Sequence, residues 1–273
     1  MDLKELTEKQ NFTFKKSLGQ NFISDSNLLS AIVKDAQIEK TDAVVEIGAG
    51  AGTLTKTISQ NAKKVFAFEI DSSLKGVLQE NLKDCPNVTL YFCDFLKADI
   101  TALEKEIGGP YKVVANIPYN ISTPLITRLM EKTQNCLSLT VTMQREVAER
   151  IISQGGKEYG ALSVCVQSRA DAVIKRKIVK ECFYPQPTID SALIHIVFKG
   201  NKLADGEFFR SLVKAAFGSR RKTLQNNITA NFNISRQKLG EIYSQLGVDA
   251  NCRAEELSPK QFIMLAEKLK SYI

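Results

Sequence analysis

The sequence predicts an α/β protein: an open, mainly parallel β-sheet with helices on both faces, followed by a small all-helical domain. Three observations carry this. Between about residue 43 and Phe198, short β-branched runs alternate with amphipathic helical patterns, the order that builds a parallel sheet through crossover helices. A glycine-rich stretch, Glu46 to Gly52, closes the first of those runs and opens a helix. Beyond Phe198 every segment reads as helix and none as strand.

Taken in order, the chain first offers a helix at Asp25–Ala36, introduced by the capping residues Ser24 and Asp25. Strands follow at Ala43–Ile47, Lys64–Ile70, Val88–Cys93, Lys112–Asn116, Leu137–Gln144 and Ser191–Phe198, with another near Ala172–Val179. Each is a short run containing β-branched residues. Between them, helical spacing appears at Thr53–Gln60, Ser72–Leu82, Thr123–Glu131 and Glu146–Ser153. Lys199-Gly200-Asn201 is a turn-like break, and it sets the expected boundary between a large domain, 1–199, and a small helical one, 200–273. A chain of 273 residues suits this division.

Composition narrows the function classes. Six cysteines are scattered with no C-x-x-C pair, and His195 is the one histidine. Zinc needs clustered ligands, so the sequence predicts no metal and reduced thiols in a cytoplasmic protein. No run approaches the roughly 20 apolar residues that span a bilayer, and the polar opening 1–16 suits neither a signal nor a transit peptide. The net charge of +7 suggests a polyanionic partner. Residues 200–273 hold 12 Lys/Arg against 7 Asp/Glu, so the small domain carries most of that surplus.

The stretch Glu46-Ile-Gly48-Ala-Gly50-Ala-Gly52 stands between a strand and a helix, where glycines let a ligand lie against the main chain. It departs from the dinucleotide fingerprint, because Thr53 occupies the third glycine position and a carboxylate, Glu46, precedes the first. Glu69 ends the next strand, 21 positions after Gly48, where an acidic side chain can accept from both ribose hydroxyls. The strand after that ends in Cys93-Asp94-Phe95, placing Asp94 to accept from an adenine amino group. Three carboxylates at successive strand ends beside one glycine loop match an adenosine ligand without phosphates. This favours S-adenosylmethionine over NAD.

The fourth strand ends in Asn116-Ile117-Pro118-Tyr119. An exocyclic adenine amine is a poor nucleophile, because its lone pair is delocalised into the ring. Asn116 offers an amide oxygen to one amino hydrogen. Pro118 fixes the chain and leaves the Ile117 carbonyl free to take the other. Two acceptors favour the developing tetrahedral nitrogen, a stabilisation aimed at the transition state. Tyr119 presents an aromatic face on which an unpaired base can stack.

With these residues in view the chain resembles the KsgA/RsmA family of ribosomal RNA adenine dimethyltransferases over nearly its whole length. The likeness rests on Lys16-Ser-Leu-Gly-Gln-Asn-Phe22, the Glu46–Gly52 loop, Asn116-Ile-Pro-Tyr-Asn-Ile-Ser-Thr-Pro124, Phe183-Tyr-Pro-Gln-Pro-Thr-Ile-Asp-Ser191, Ala215-Ala-Phe-Gly-Ser-Arg-Arg-Lys-Thr-Leu224 and Arg253-Ala-Glu-Glu-Leu-Ser-Pro259. The resemblance implies a Rossmann-like class I S-adenosylmethionine-dependent methyltransferase domain, with cofactor contacts from Asn21, Ile23, Gly48, Glu69, Asp94 and Asn116. It implies that Phe183 stacks on the target adenine opposite Tyr119, although pattern alone reads Phe183 as core. It also implies a substrate: two adjacent adenosines in the 3′-terminal hairpin loop of small-subunit rRNA, presented by an assembling subunit to a monomeric enzyme. Ile117 and Ile23 stand where many members have leucine, and Ala49 where proline is frequent.

Relatives that methylate large-subunit RNA share the glycine loop and Asn-Ile-Pro-Tyr. The Ser-Leu-Gly-Gln-Asn-Phe opening, Thr123-Pro124 and Arg220-Arg221-Lys222 resemble the small-subunit branch instead. A non-catalytic RNA-binding assembly or transcription factor on the same fold is a second reading, opposed by the intact Asn116, Tyr119, Glu69 and Asp94. A DNA adenine methylase is a third, opposed by the short basic helical domain. Arg220, Arg221 and Lys222 are the expected phosphate contacts, with Lys175-Arg176-Lys177 a further basic run. His195, in an alternating apolar strand, reads as structural.

Overall fold

A computed structural model describes residues 15, 19–199 and 206–272. Residues 16–18 of the opening motif, nearly all of the polar opening segment, and Gly200-Asn201 of the expected break lie outside them.

The elements in chain order are β1 (Phe22–Ile23), α1 (Ser26–Asp35), β2 (Ala43–Ile47), α2 (Thr53–Ser59), β3 (Lys64–Glu69), α3 (Lys75–Asn81), β4 (Val88–Phe92), α4 (Ile100–Ile107), β5 (Tyr111–Asn116), α5 (Ser122–Lys132), β6 (Cys136–Gln144), α6 (Arg145–Ile152), α7 (Ala161–Gln167), β7 (Ala170–Ile178), β8 (Phe183–Tyr184) and β9 (Ser191–Phe198). Helices α8 (Glu207–Ala216), α9 (Leu224–Thr229), α10 (Arg236–Leu246) and α11 (Pro259–Lys270) complete the chain. Asp25 caps α1 as its residue type suggests, accepting from the backbone N–H groups of Asn27 and Leu28 at 2.8 and 3.2 Å.

Seven strands form one sheet in the order β4-β3-β2-β5-β6-β9-β7. Strands β4 to β6 pair in parallel, and β9 joins β6 antiparallel. The sheet is therefore the Rossmann-like one that the alternating pattern predicts, with one antiparallel return. The parallel strands are apolar on both faces: Val44, Val45, Val65, Ala67, Val113 and Val114 are fully buried. The order reverses between β2 and β5, and ligands of such sheets bind beside the carboxyl ends of strands at that point.

The structure differs from the expected elements in four places. The helix expected at Ser72–Leu82 opens as a single tight turn, Ser72–Leu74, capped by Asp71. Helices α4 and α7 have no counterpart in the sequence pattern, since Ile100–Ile107 and Ala161–Gln167 are too short for their periodicity to stand out. Strands β1 and β8 pair antiparallel, Phe22 with Tyr184 and Ile23 with Phe183, across about 160 residues with no local signal.

The chain divides into two compact units, but not by a single break at residue 200. One unit runs to Ala148 and resumes over Val173–Val197; the other holds Glu149–Ala172 with everything from Phe198 onward. Tyr159 explains why the inserted stretch belongs with the helices. Its ring is fully buried among Phe209, Leu212 and Phe262, it meets Phe217 edge-on, and its hydroxyl donates to the Leu257 carbonyl at 2.8 Å.

Candidate functional site

At the carboxyl ends of β2, β3, β4 and β5 lies a cavity whose lining includes Asn21, Gly48, Gly50, Glu69, Asp94 and Asn116. These six cofactor candidates are brought together although they are spread over 96 positions. Ile47, Phe68, Ile70, Phe95 and Ile117 make the rest of the wall largely apolar.

The glycine loop is held in place by its neighbours. The backbone N–H groups of Gly48 and Ala49 both donate to the Phe68 carbonyl, at 2.9 and 3.0 Å. Gly48 has φ +82°, and a Cβ there would stand 3.0 Å from the Asn116 carbonyl oxygen; Gly50 has φ +58°, and a Cβ there would stand 2.8 Å from the Phe22 ring. Both positions therefore need glycine, for conformation and for space.

Glu69 ties the loops after β2 and β3 together. Its carboxylate accepts from the Gly50 N–H at 2.7 Å and from the Asp71 N–H at 2.8 Å. Each oxygen keeps a further lone pair for a ligand hydroxyl. Burial raises its pKa, and these two backbone donors work against that rise. Asp71 in turn receives the Lys15 ammonium at 2.6 Å and the Gln20 amide at 2.9 Å. Burial pushes its carboxyl up, but Lys15, Ser73 and Gln20 together outweigh it and hold the pKa at about 2. The segment around Gln20 and Asn21 is thereby fastened beside the cavity. Asp94 spends one oxygen on the Leu96 N–H at 2.9 Å.

Asn116 sits at the cavity edge with its amide fixed at both ends. Its Nδ2 donates to the Asn21 carbonyl at 3.0 Å, and its Oδ1 accepts from the Thr142 hydroxyl at 2.5 Å. Among the described residues no hydrogen bond engages the Ile117 carbonyl. Tyr119 is half-buried, its hydroxyl 2.8 Å from that of Ser191.

Four expected site residues are placed otherwise. Glu46 is fully buried and absent from the cavity wall. Side chains alternate along a strand, so with Ile47 facing the cavity, Glu46 points the other way. Neither of its oxygens, nor the Thr55 hydroxyl, has a hydrogen-bond partner of normal geometry. Burial pushes the Glu46 pKa up to about 8, the nearby Thr55 hydroxyl countering and the Glu69 charge adding to the rise. Ile23 is buried in β1 and does not line the cavity. Phe183 pairs with it in β8, is 4 % exposed and belongs to the apolar cluster of Phe22 and Ile23. The pattern-based reading of Phe183 as core is what the structure shows.

The fourth is Arg220, in the other unit. It lies with Arg221 and Lys222 in the turn before α9, and its guanidinium donates to the carbonyls of Lys157 at 2.9 Å and Tyr159 at 3.4 Å. Arg221 and Lys222 are exposed. Phe22, Asp71, Thr142 and Ser191 are site residues that the sequence pattern does not mark; register and long-range contacts bring in Phe22, Thr142 and Ser191, while Asp71 lies two residues beyond Glu69 and donates its N–H to it.

S-adenosylmethionine fits these residues. Two carboxylates and no Lys or Arg line the cavity among the described residues, which suits an adenosine bearing a sulfonium and an ammonium and disfavours a phosphate-bearing cofactor. Elsewhere, His195 is buried with Nδ1 2.8 Å from the Thr140 hydroxyl. Among the described residues no cluster of His, Cys, Asp or Glu could hold a metal ion, and no helix is long and apolar enough to cross a membrane.

Comparison with known proteins finds relatives over nearly the whole chain. The family model for ribosomal RNA adenine dimethylase matches residues 11–271. Ribosomal RNA small subunit methyltransferase A of Clostridium botulinum is 40 % identical over 98 % of this chain and 98 % of its own length. Among solved structures, a dimethyladenosine transferase from Plasmodium falciparum superposes with a TM-score of 0.74 at 23 % identity, covering 90 % of this chain and 96 % of that one. The 23S rRNA methyltransferase ErmE gives 0.71 at 24 % identity, covering 92 % and 100 %. Both establish the fold.

Proposed function

Because the chain belongs to the ribosomal RNA adenine dimethylase family, we propose that it transfers methyl groups from S-adenosylmethionine to N6 of two adjacent adenosines in the 3′-terminal hairpin loop of small-subunit 16S rRNA. The product is N6,N6-dimethyladenosine, made by a monomer acting on rRNA within an assembling small subunit. The observation that carries the reading is the doubly anchored Asn116 at the edge of a cavity walled by Glu69 and Asp94.

When bound, the cofactor supplies a methyl group made electrophilic by its sulfonium. Glu69 accepts from the ribose hydroxyls and Asp94 from the adenine amino group of that cofactor. Asn116 Oδ1 and the Ile117 carbonyl accept the two hydrogens of the target amine, turning its lone pair toward the methyl group. Pro118 fixes the backbone of that turn, and Tyr119 offers its face to the target base. No general base is needed before transfer, because the methylated ammonium loses its proton to solvent. One hydrogen then remains on the nitrogen, and a bond to one of these acceptors orients it for the second transfer.

Methyl transfer from labelled cofactor to immature small subunits, large subunits, free rRNA and duplex DNA tests the assignment. Preferential labelling of small-subunit RNA is expected. Preference for large subunits or DNA would overturn it, and labelling of none would favour a binding factor.

A further inference from the structure

We propose that Thr142 is a positioning residue for methyl transfer, fixing the Asn116 amide with its oxygen toward the target amine. The inference rests on the reading of Asn116 as the residue that holds that amine.

The placement follows from the sheet. Strands β5 and β6 run parallel with Asn116 and Thr142 in register, so their side chains stand on the same face, one strand apart. Thr142 is 2 % exposed, and its hydroxyl hydrogen goes to Asn116 Oδ1 at 2.5 Å. On the other side the Asn21 carbonyl, which can only accept, takes Asn116 Nδ2 at 3.0 Å. The Asn21 carbonyl selects the amide nitrogen, and the Thr142 hydroxyl, able to donate, then holds the oxygen. A flipped amide would turn Nδ2 toward Thr142 and set Oδ1 against the Asn21 carbonyl, two like oxygens face to face.

The Thr142 bond uses one lone pair of Oδ1 and leaves the other for an amino hydrogen. Transfer depends on that remaining direction, because a misaimed acceptor turns the nucleophilic lone pair off the methyl group. The dependence is unequal for the two transfers. The free adenine amine has two hydrogens to share between Asn116 and the Ile117 carbonyl. The monomethylated amine has one, so a single bond orients it, and a loose Asn116 harms the second transfer more than the first.

Two variants and three readouts test this. Thr142→Val keeps the shape and removes the hydroxyl; Thr142→Ser keeps the hydroxyl. In Thr142→Val we expect kcat to fall about five- to tenfold, the effect of one lost neutral hydrogen bond. KM for RNA and cofactor affinity should stay within about twofold, and mass spectrometry should show product shifted from dimethyl- to monomethyladenosine. Thr142→Ser should restore rate and product ratio. The third readout needs no catalysis. The Asn116 side-chain amide resonances, assigned by their loss in Asn116→Asp, should move or broaden in Thr142→Val and return in Thr142→Ser. An unchanged amide signal, or an unchanged kcat and product ratio, would overturn the proposal, as would a Thr142→Val defect that follows thermal instability alone. A shifted amide signal in a protein whose wild type labels no RNA would instead overturn the proposed function and leave the anchoring of Asn116 standing.

Discussion

Glu46 and Glu69 stand on adjacent strands at the edge of the same loop, and their surroundings give them opposite parts. Glu69 reaches the cavity and holds two backbone N–H groups. Glu69→Ala removes a charged acceptor for the ribose hydroxyls, a loss of about 1.5–3 kcal/mol or roughly ten- to hundredfold in cofactor affinity. Calorimetry reads it, and unchanged affinity would remove Glu69 from the site. Glu46 is sealed beneath the loop, and its carboxyl stays protonated up to about pH 8. Its folded pKa lies above the unfolded one, so the native state keeps a proton that the unfolded chain gives up. Stability should therefore fall as pH rises from about 4.5 toward 8. Glu46→Gln should flatten that part of the curve, measured as thermal midpoint against pH; parallel curves for wild type and variant would contradict it. Sequence spacing found both glutamates but could not separate them, because the residue type is the same and only the alternation of β2 turns Glu46 away from the cavity.

At the level of elements, the strand ends and the glycine loop were legible because their signals are local. An apolar run followed by glycines with left-handed φ needs no distant partner to be recognised. The contacts that complete the site are not local. Phe22 reaches the loop through the pairing of β1 with β8, and Thr142 meets Asn116 only because β6 lies beside β5 in one register. Phe183 shows the same limit from the other side, since the family resemblance implies a stacking ring and its strand pairing buries it. The loop also gives an element-level prediction. Gly48→Ala would force a Cβ against the Asn116 carbonyl at a φ of +82°, disturbing the loop and the end of β5 together. Both cofactor affinity and methyl transfer should drop, with a loss of thermal stability of at least about 1 kcal/mol. Wild-type values for all three would show that the loop tolerates the shift.

On the scale of the whole molecule, chemistry and charge belong to different parts of the chain. The residues proposed for methyl transfer lie in the sheet unit, while the carboxyl-terminal helical segment carries most of the net positive charge. The sequence located that charge correctly but not the boundary, because the stretch Glu149–Ala172 joins the helices through Tyr159 and its buried neighbours. Within the basic turn, Arg220 holds the backbone at Lys157 and Tyr159, so Arg221 and Lys222 are the pair to neutralise. Replacing both by alanine should weaken RNA binding, leave cofactor affinity unchanged, and reduce the slope of log affinity against log salt by about two; an unaltered slope would exclude them as phosphate contacts. The proposed reaction turns on Asn116, which directs an adenine amine at a methyl donor bound beside it. Its most direct test is Asn116→Ala, with cofactor binding followed by calorimetry and single-turnover transfer to immature small subunits followed by mass spectrometry. Cofactor affinity near that of wild type, with transfer reduced by orders of magnitude and dimethyladenosine abolished, is the predicted result. Turnover within a few fold of wild type, with dimethyladenosine still formed, would contradict it.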